Sequence, residues 1–245
     1  MNKKRYSIKP KVLILRLAGT NCDFETEFAF KKNKALTEKI HINRLIENPS
    51  IIKKFQILAI PGGFSYGDYI SAGKVAAALI LHSTGDLFRK FIESDKLIIG
   101  ICNGFQILIK TGLLPERKKE QTATLMNNDC GSFICKWVKL KVNSKTLFTK
   151  NLPEEIYLPI AHAEGKFFAS SSVINRLESN NQIAFKYTEN PNGSINDIAG
   201  ITDPSGKILG MMPHPERFCL VHQNPNHMGI PYGDIIFKNM IEWFK

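Results

Sequence analysis

Residues 96–112 have the sequence KLIIGICNGFQILIKTG, in which an apolar run meets a helical pattern at a turn of small residues. The run KLIIGI (96–101) has no polar alternation, so it predicts a strand buried on both faces, as in a parallel sheet. The following NGFQILIK predicts an apolar helix. Cys102 lies at the turn between them, and Gly100 and Gly104 flank it two residues away on either side.

A cysteine on such a strand-to-helix turn has the setting of a nucleophile, which needs small neighbours in so tight a bend. The turn carries the sulfur of Cys102 to the carboxyl edge of the sheet, where ligands bind in open α/β folds. The helix dipole favours the thiolate there, and the first free N–H groups can stabilise an oxyanion. A buried structural cysteine is the alternative, and the pentapeptide alone leaves both open.

The same strand-and-helix rhythm extends toward the N-terminus. KVLILRL (11–17) and QILAI (56–60) are further apolar runs, each followed by a helical pattern. The predicted helices cover residues 23–32, 71–82 and 86–93. This alternation predicts an α/β fold with a flavodoxin-like open, mostly parallel sheet and helices on both faces.

The second half of the chain is richer in strands. Turn signals at 191–193 (PNG) and 203–206 (DPSG) separate short apolar segments, and a final helix is predicted over 235–244. Strands are predicted within 121–142 and at 156–162, 182–187, 197–203 and 207–213. No linker composition divides the chain, so we predict a basic N-terminal extension over residues 1–10 and one domain over 11–245.

Composition narrows the classes of function. The 245 residues are 43% hydrophobic and 22% charged, which is ordinary for a soluble globular protein. The net charge of +11 is spread along the chain, so a solvated basic surface, an acidic partner, phosphorylated metabolites and nucleic acid all stay open. Five scattered cysteines argue against disulfides and for a reducing compartment. No apolar stretch is long enough to span a membrane, so we predict a cytoplasmic protein.

A cysteine nucleophile needs a base, and MPHPER (212–217) offers one. Proline disfavours helical geometry in the residue before it, so His214 is predicted to be extended, with Glu216 on the same side. The carboxylate could then fix the tautomer of the imidazole. His222 and His227 have no acidic partner between them and no Cys-x-x-Cys pair is present, so no metal site is predicted.

The segment PGGF (61–64) directly follows a predicted strand. Its glycines allow the backbone to approach a substrate, and their N–H groups could form the second arm of an oxyanion hole. A plain tight turn is the alternative. A phosphate-binding loop is excluded, because neither G-x-x-x-x-G-K-[ST] nor G-x-G-x-x-G is present.

Taken together, these motifs resemble the class I glutamine amidotransferase family. Longer strings are similar to one branch of it, the glutaminase subunits of phosphoribosylformylglycinamidine synthases. The matching strings are GTNCD (19–23), PGGFSYGDYISAGK (61–74), GICNGFQIL (100–108), AHAEGKF (161–167), ENPNGS (189–194), DIAGI (197–201) and PHPER (213–217).

The resemblance implies roles for individual residues. It makes Cys102 the nucleophile, with His214 and Glu216 completing the triad. Gly63 and Asn103 fall at the positions whose backbone N–H groups form the oxyanion hole. Two further residues would adjoin the glutamine substrate: Gln106 and His162, the latter also explicable as a structural histidine. Cys22 belongs to a matching string, but no chemical role follows for it.

The resemblance also implies an activity and partners. The chain would hydrolyse L-glutamine through a glutamyl thioester and pass ammonia to a large synthetase subunit in de novo purine biosynthesis, with a small bridging subunit in the assembly. No cofactor is expected in this chain, while ATP and Mg²⁺ would be used by the partner; no nucleic acid or membrane is expected. The alternatives are the glutaminase of another amidotransferase, a different flavodoxin-like cysteine hydrolase, a non-catalytic scaffold subunit and, from charge alone, a nucleic-acid-binding module.

Overall fold

A computed structural model of the chain describes residues 9–68, 70–84, 87–118, 120–143, 145–225 and 229–245. Residues 1–8, most of the predicted N-terminal extension, and His227 lie outside the described residues. Pro10 is buried, and its carbonyl accepts a hydrogen bond from the Leu36 N–H. The division of the chain after residue 10 stays a prediction.

Most strands of the described residues form one sheet of nine strands, and two form a separate antiparallel pair, β5–β8. The order in the large sheet is β2-β1-β3-β4-β11-β10-β9-β6-β7. The strands are β1 (Lys11–Arg16), β2 (Leu36–His41), β3 (Ile57–Ile60), β4 (Leu97–Ile101), β5 (Ala123–Asn127), β6 (Ile134–Val142), β7 (Glu155–His162), β8 (Glu164–Ala169), β9 (Ile183–Tyr187), β10 (Ile198–Thr202) and β11 (Ile208–Met211).

The first five strands in the sheet order, β2-β1-β3-β4-β11, are parallel, and the sheet is open, as the sequence predicts. Every residue of β3 and β4 is buried, and because side chains alternate between faces, both faces are covered. The α-helices are α1 (Asp23–Lys32), α2 (Ile42–Glu47), α3 (Lys74–Thr84), α4 (Leu87–Glu93), α5 (Asn103–Lys110), α6 (Ser171–Ser179) and α7 (Tyr232–Glu242). Short 3₁₀ helices cover Pro49–Lys54, Ser65–Asp68, Ile195–Asp197, Pro215–Arg217 and Val221–Gln223.

The helices form two layers on the sheet. From β1 the chain crosses to β2 in one direction, and from β3 it crosses to β4 in the other. Since parallel crossovers are right-handed, α1 lies on one face and α3 and α4 lie on the opposite face. α7 packs beside α1, and α5 packs beside α3. The predicted helices on both faces are therefore present.

The strand-rich second half extends the sheet in the antiparallel sense. β11 pairs with β10, then β9, β6 and finally the edge strand β7, each neighbour running antiparallel to the last. Two other elements of this half, β8 and α6, were not predicted from the sequence. Across the described residues, no helix is both long enough and apolar enough to cross a membrane.

The loops that follow the parallel strands meet at the carboxyl edge of the sheet. The loop after β1 pairs with the loop after β3 through a bridge between Thr20 and Gly63. The Cys102 N–H, just after β4, donates to the Met211 carbonyl at the end of β11 at 2.8 Å. The edge of the sheet thus gathers residues from four separate parts of the sequence.

Candidate active site

Cys102 sits in a strained turn between β4 and α5. Its backbone has φ 51° and ψ −105°, a region that residues with a side chain rarely adopt. The flanking glycines explain why the turn is so tight: a Cβ on Gly104 would lie 1.9 Å from the Ile60 carbonyl oxygen, and one on Gly100 would lie 2.6 Å from the Gly104 oxygen. The Gly-x-Cys-x-Gly pattern therefore lets the helix pack directly onto the sheet beneath the sulfur.

His214 and Glu216 form a buried pair beside this sulfur. His214 Nδ1 lies 2.6 Å from Glu216 Oε1, and both side chains are almost fully shielded from solvent. The sequence analysis expected an extended segment, but Glu216 lies in the 3₁₀ turn Pro215–Arg217. Pro215 has a fixed φ that suits the first position of such a turn, so the carboxylate curls back under the imidazole.

The His214 imidazole lies beside the Cys102 turn, and its charge is set by its neighbours. Burial opposes the charged form and lowers the pKa of His214, but the Glu216 carboxylate and the Cys102 sulfur raise it more. The net pKa lies well above the ordinary value. Because Nδ1 is hydrogen-bonded to Glu216, Nε2 is the ring nitrogen left for the sulfur, and in the described residues this buried atom has no hydrogen-bond partner. The structure therefore brings together the three residues of the predicted triad.

The loop after β3 carries the predicted oxyanion position. Among the described residues, no backbone carbonyl accepts a hydrogen bond from the Gly63 N–H. The loop is fixed from both sides, since Cys22 N donates to the Gly62 oxygen at 3.2 Å and Phe64 N donates to the Gly19 oxygen at 2.9 Å. Helix geometry likewise leaves the Asn103 N–H, at the start of α5, without an intrahelical acceptor.

The side chain of Asn103 joins the two predicted arms of the oxyanion hole. Its Oδ1 accepts from the Ser65 N–H at 3.3 Å, and its Nδ2 donates to Asp68 Oδ1 and to Gln106 Oε1. Gln106 Nε2 in turn donates to the Glu164 carbonyl at 2.6 Å. Both ends of the Gln106 amide are therefore engaged within the protein, and a contact with substrate stays a prediction for this residue.

His162, at the end of β7, is a neutral imidazole of defined tautomer. Asn128 Oδ1 accepts from the Gly165 N–H and lies 3.0 Å from His162 Nδ1, so Nδ1 carries the proton. Burial, with a smaller contribution from the nearby His214, lowers the pKa of His162 to about 4. Its Nε2 is buried and has no hydrogen-bond partner in the described residues. His162 Nε2 is therefore a hydrogen-bond acceptor without a donor in the described residues, close to the predicted triad.

Cys22 also belongs to this site, a place that was not predicted from its sequence pattern. Its sulfur lies 3.2 Å from Arg217 Nη2, and one ligand atom from each of Cys22, His214 and Glu216 falls within a 4.8 Å cluster. These atoms could hold a metal ion, but the His214 and Glu216 atoms bond each other and a guanidinium faces the sulfur. The arrangement fits proton transfer better than a cation site. No sequence signal links residues so far apart.

Comparison with known proteins agrees with this geometry. The family model described as CobB/CobQ-like glutamine amidotransferase domain matches residues 9–244. A Dehalococcoides mccartyi protein named phosphoribosylformylglycinamidine synthase subunit PurQ is 46% identical over 252 residues, covering 97% of this chain and 98% of its own. A PurQ subunit of Methanococcus maripaludis is 38% identical over 269 residues, with the same coverage. A chain in the structure of PurLQS from Thermotoga maritima matches with a TM-score of 0.78 and 33% identity, covering 97% of this chain and 100% of that one.

Proposed function

The chain belongs to the CobB/CobQ-like glutamine amidotransferase family, and from that membership we propose that it is the PurQ-type glutaminase subunit of a phosphoribosylformylglycinamidine synthase. It hydrolyses L-glutamine to glutamate and ammonia. The observation that carries the proposal is the Cys102 thiol on its strained turn, which shares the space above Gly62 with the His214 ring of the His214–Glu216 pair. A thiol, a base and an orienting carboxylate are the groups that nucleophilic amide hydrolysis requires.

The reaction proceeds in two stages. The Cys102 thiolate adds to the side-chain amide carbon of glutamine, and the tetrahedral intermediate collapses to a glutamyl thioester as the C–N bond breaks. The His214 imidazolium gives its proton to the departing ammonia, then the neutral ring takes a proton from water, which hydrolyses the thioester. Glu216 holds the Nδ1–H tautomer and stabilises the imidazolium that forms.

The oxyanion of the intermediate is stabilised by backbone donors. We assign this role to the N–H groups of Gly63 and Asn103, each worth about 3–4 kcal/mol in comparable enzymes when well placed. Asn103 adds a positioning role, because its side chain fixes the loop that follows Gly63. Gln106 orders Asn103, and His162 offers its bare Nε2 as an acceptor beside the glutamine pocket.

The ammonia is used by a partner. We propose a large PurL-type synthetase subunit, which uses ATP and Mg²⁺ to convert formylglycinamide ribonucleotide into its amidine, and a small PurS-type bridging subunit. This chain carries no phosphate-loop motif, so the nucleotide chemistry is assigned to the synthetase and no cofactor to this chain. The cytoplasm is the proposed location, since all five cysteines are free, as a reducing compartment would keep them.

The proposal is tested on the assembled complex by following amidine formation from glutamine or from free ammonia. Cys102→Ala should abolish glutamine-dependent synthesis and spare ammonia-dependent synthesis. Cys135→Ala, which removes an exposed thiol, is the matched control and should retain both activities. A glutamine analogue with a diazo-ketone group should label Cys102. Loss of both activities in Cys102→Ala would make the residue structural, and an absence of labelling in the active complex would favour a scaffold subunit.

A further inference from the structure

The thiol of Cys22 lies against the same imidazole as the proposed nucleophile. Its sulfur is within 4.8 Å of a His214 ring nitrogen. In the described residues His214 Nε2 is buried without a hydrogen-bond partner, and the Cys22 and Cys102 sulfurs both raise the pKa of the ring. The space above Gly62 shows how close the groups are: a Cβ there would lie 2.9 Å from His214 Cε1, 3.2 Å from Cys22 Sγ and 3.5 Å from Cys102 Cβ. Two cysteines, from opposite ends of the first half of the chain, therefore flank one histidine.

We propose that Cys22 is a positioning residue for His214: its sulfur, fixed by Arg217, is a second hydrogen-bond acceptor for the imidazolium and holds the ring over Gly62. The inference rests on the proposed function, because it concerns the base of that reaction. Nothing in it gives Cys22 a bond to the substrate.

The sulfur of Cys22 is itself held firmly. Its S–H can donate to Asn21 Oδ1 at 3.2 Å, while Arg217 Nη2 donates to the sulfur at 3.2 Å. The backbone N–H of Cys22 donates to the Gly62 oxygen, and its position just before α1 fixes it at the end of a helix. A buried sulfur with these partners has little freedom to move away from the ring.

Two neighbouring residues of the 3₁₀ turn, Glu216 and Arg217, thus act on the imidazole, one directly and one through Cys22. Glu216 binds Nδ1 directly, and Arg217, the next residue, donates to the sulfur of Cys22, which lies beside the ring. Arg217 remains charged, because burial lowers its pKa less than Cys22 and Glu216 raise it. The sulfur of Cys22 accepts from this guanidinium at 3.2 Å and lies within 4.8 Å of a His214 ring nitrogen, so it links a permanent positive charge to a base that must itself become positive.

The need for a second acceptor follows from the reaction. In the tetrahedral intermediates His214 is protonated at Nε2 while the Cys102 sulfur is bonded to carbon, so that sulfur no longer attracts the N–H as a thiolate does. Thiol sulfur is a weak acceptor, so Cys22 can orient the ring without retaining the proton that ammonia or the products require. A strong acceptor in the same place would compete with the reaction.

The pH dependence of kcat/KM reports on the contact between Cys22 and His214, once the titratable groups around His214 are known. His214 is faced by Cys102 from the strand-to-helix turn, by Glu216 from its own 3₁₀ turn, by Cys22 from the loop before α1 and by His162 from β7. The contact with Cys22 raises the pKa of His214. One limb of the kcat/KM–pH profile reports the titration of His214 and is called the imidazole limb here. Removal of Cys22 should therefore move this limb to lower pH, while changes elsewhere on the molecule leave it in place.

The test uses the assembled complex with wild type, Cys22→Ala and Cys22→Ser. Cys22→Ala should lower glutamine-dependent kcat about tenfold, the loss of roughly one charge-assisted hydrogen bond, with KM and ammonia-dependent synthesis unchanged. Its imidazole limb should move to lower pH. Cys22→Ser should recover most of the rate, because a hydroxyl is also an acceptor. Cys219→Ala, which removes an equally buried thiol bonded to the Pro215 carbonyl, is the control and should keep the limb.

The outcomes separate the inference from its premise. A wild-type complex without glutaminase activity contradicts the proposed function. An active wild type with an unchanged Cys22→Ala profile overturns the positioning role alone. A slower Cys22→Ala with an unmoved limb and no recovery by serine also overturns it, because packing would then account for the loss.

Discussion

Replacing Gly62 by alanine is expected to disable the glutaminase without removing any reacting group. The new methyl group would lie 2.9 Å from His214 Cε1. Carbon atoms in contact lie about 3.5–4.0 Å apart, so the ring has to retreat by roughly 0.6–1.1 Å. It cannot turn aside freely, because Glu216 holds Nδ1 at 2.6 Å and both side chains are buried. A displacement of about 1 Å at a reacting group can cost about a hundredfold in rate.

The assay compares glutamine-dependent and ammonia-dependent synthesis by the assembled complex. Gly62→Ala should reduce glutamine-dependent kcat by roughly 10- to 100-fold and leave the ammonia-dependent rate intact. Gly206→Ala is the matched control: its methyl group meets open space, but its φ of +67° strains the backbone far from the site. It should lower stability and keep the rate. A folded Gly62→Ala complex with the wild-type glutamine-dependent rate would refute the packing argument.

Three further predictions concern the neighbouring residues. Glu216→Gln removes the charge that raises the pKa of His214, so burial should lower that pKa and glutamine-dependent kcat should fall by roughly a thousandfold or more, measured as a pH–rate profile. Asn103→Ala frees the loop bonded through Ser65, and steady-state kinetics should show kcat reduced about ten- to a hundredfold with ammonia-dependent synthesis retained. His162 has a folded pKa of about 4 against an ordinary 6.5, so between these values the unfolded chain binds the extra proton. The unfolding free energy should therefore fall by up to about 3 kcal/mol as the pH drops through that window, whereas urea titrations of His162→Gln should lack this loss.

The inner parallel strands β1, β3 and β4 could be predicted because they are buried on both faces. Apolar runs such as 11–17 and 96–101 carry no competing helical period, and the observed strands β1 and β4 begin and end within a residue of them. Helix α1 was predicted with its observed bounds, Asp23–Lys32. In these segments the local sequence pattern and the burial in the folded protein favour the same structure, so the sequence is sufficient to predict the strands and the helix.

Strand β8 escaped prediction because its pattern is short and weakly apolar. In the described residues it pairs with β5, and its buried positions are Gly165, Phe167 and Ala169, of which one is a large apolar residue. Helix α6 does have an amphipathic pattern, since Val173, Ile174 and Leu177 are its buried residues and Ser170 precedes it. That spacing and the serine could have predicted the helix.

The parts of the active site that depend on residues close together in the sequence could be predicted. The turn at Cys102 depends on glycines within two residues, so the pattern alone predicts it. The contact between Cys22 and Arg217 joins residues 195 positions apart and depends on how α1 and the 3₁₀ turn meet. No local pattern encodes such a contact, which is why Cys22 had no predicted role.

The antiparallel extension of the sheet also has a part in the chemistry. β7 is the edge strand farthest from β2, yet the His214 N–H donates to its Pro159 carbonyl at 2.8 Å, and the Cys102 sulfur lies 3.6 Å from its Ala161 carbonyl. The sheet must curl for its edge to reach both residues. β7 therefore contacts both the nucleophile and the base, although it carries neither of them. Because β7 also ends in His162, a shift of this one edge strand would displace the sulfur, the base and the bare acceptor together, so the strand-rich half is part of the catalytic scaffold.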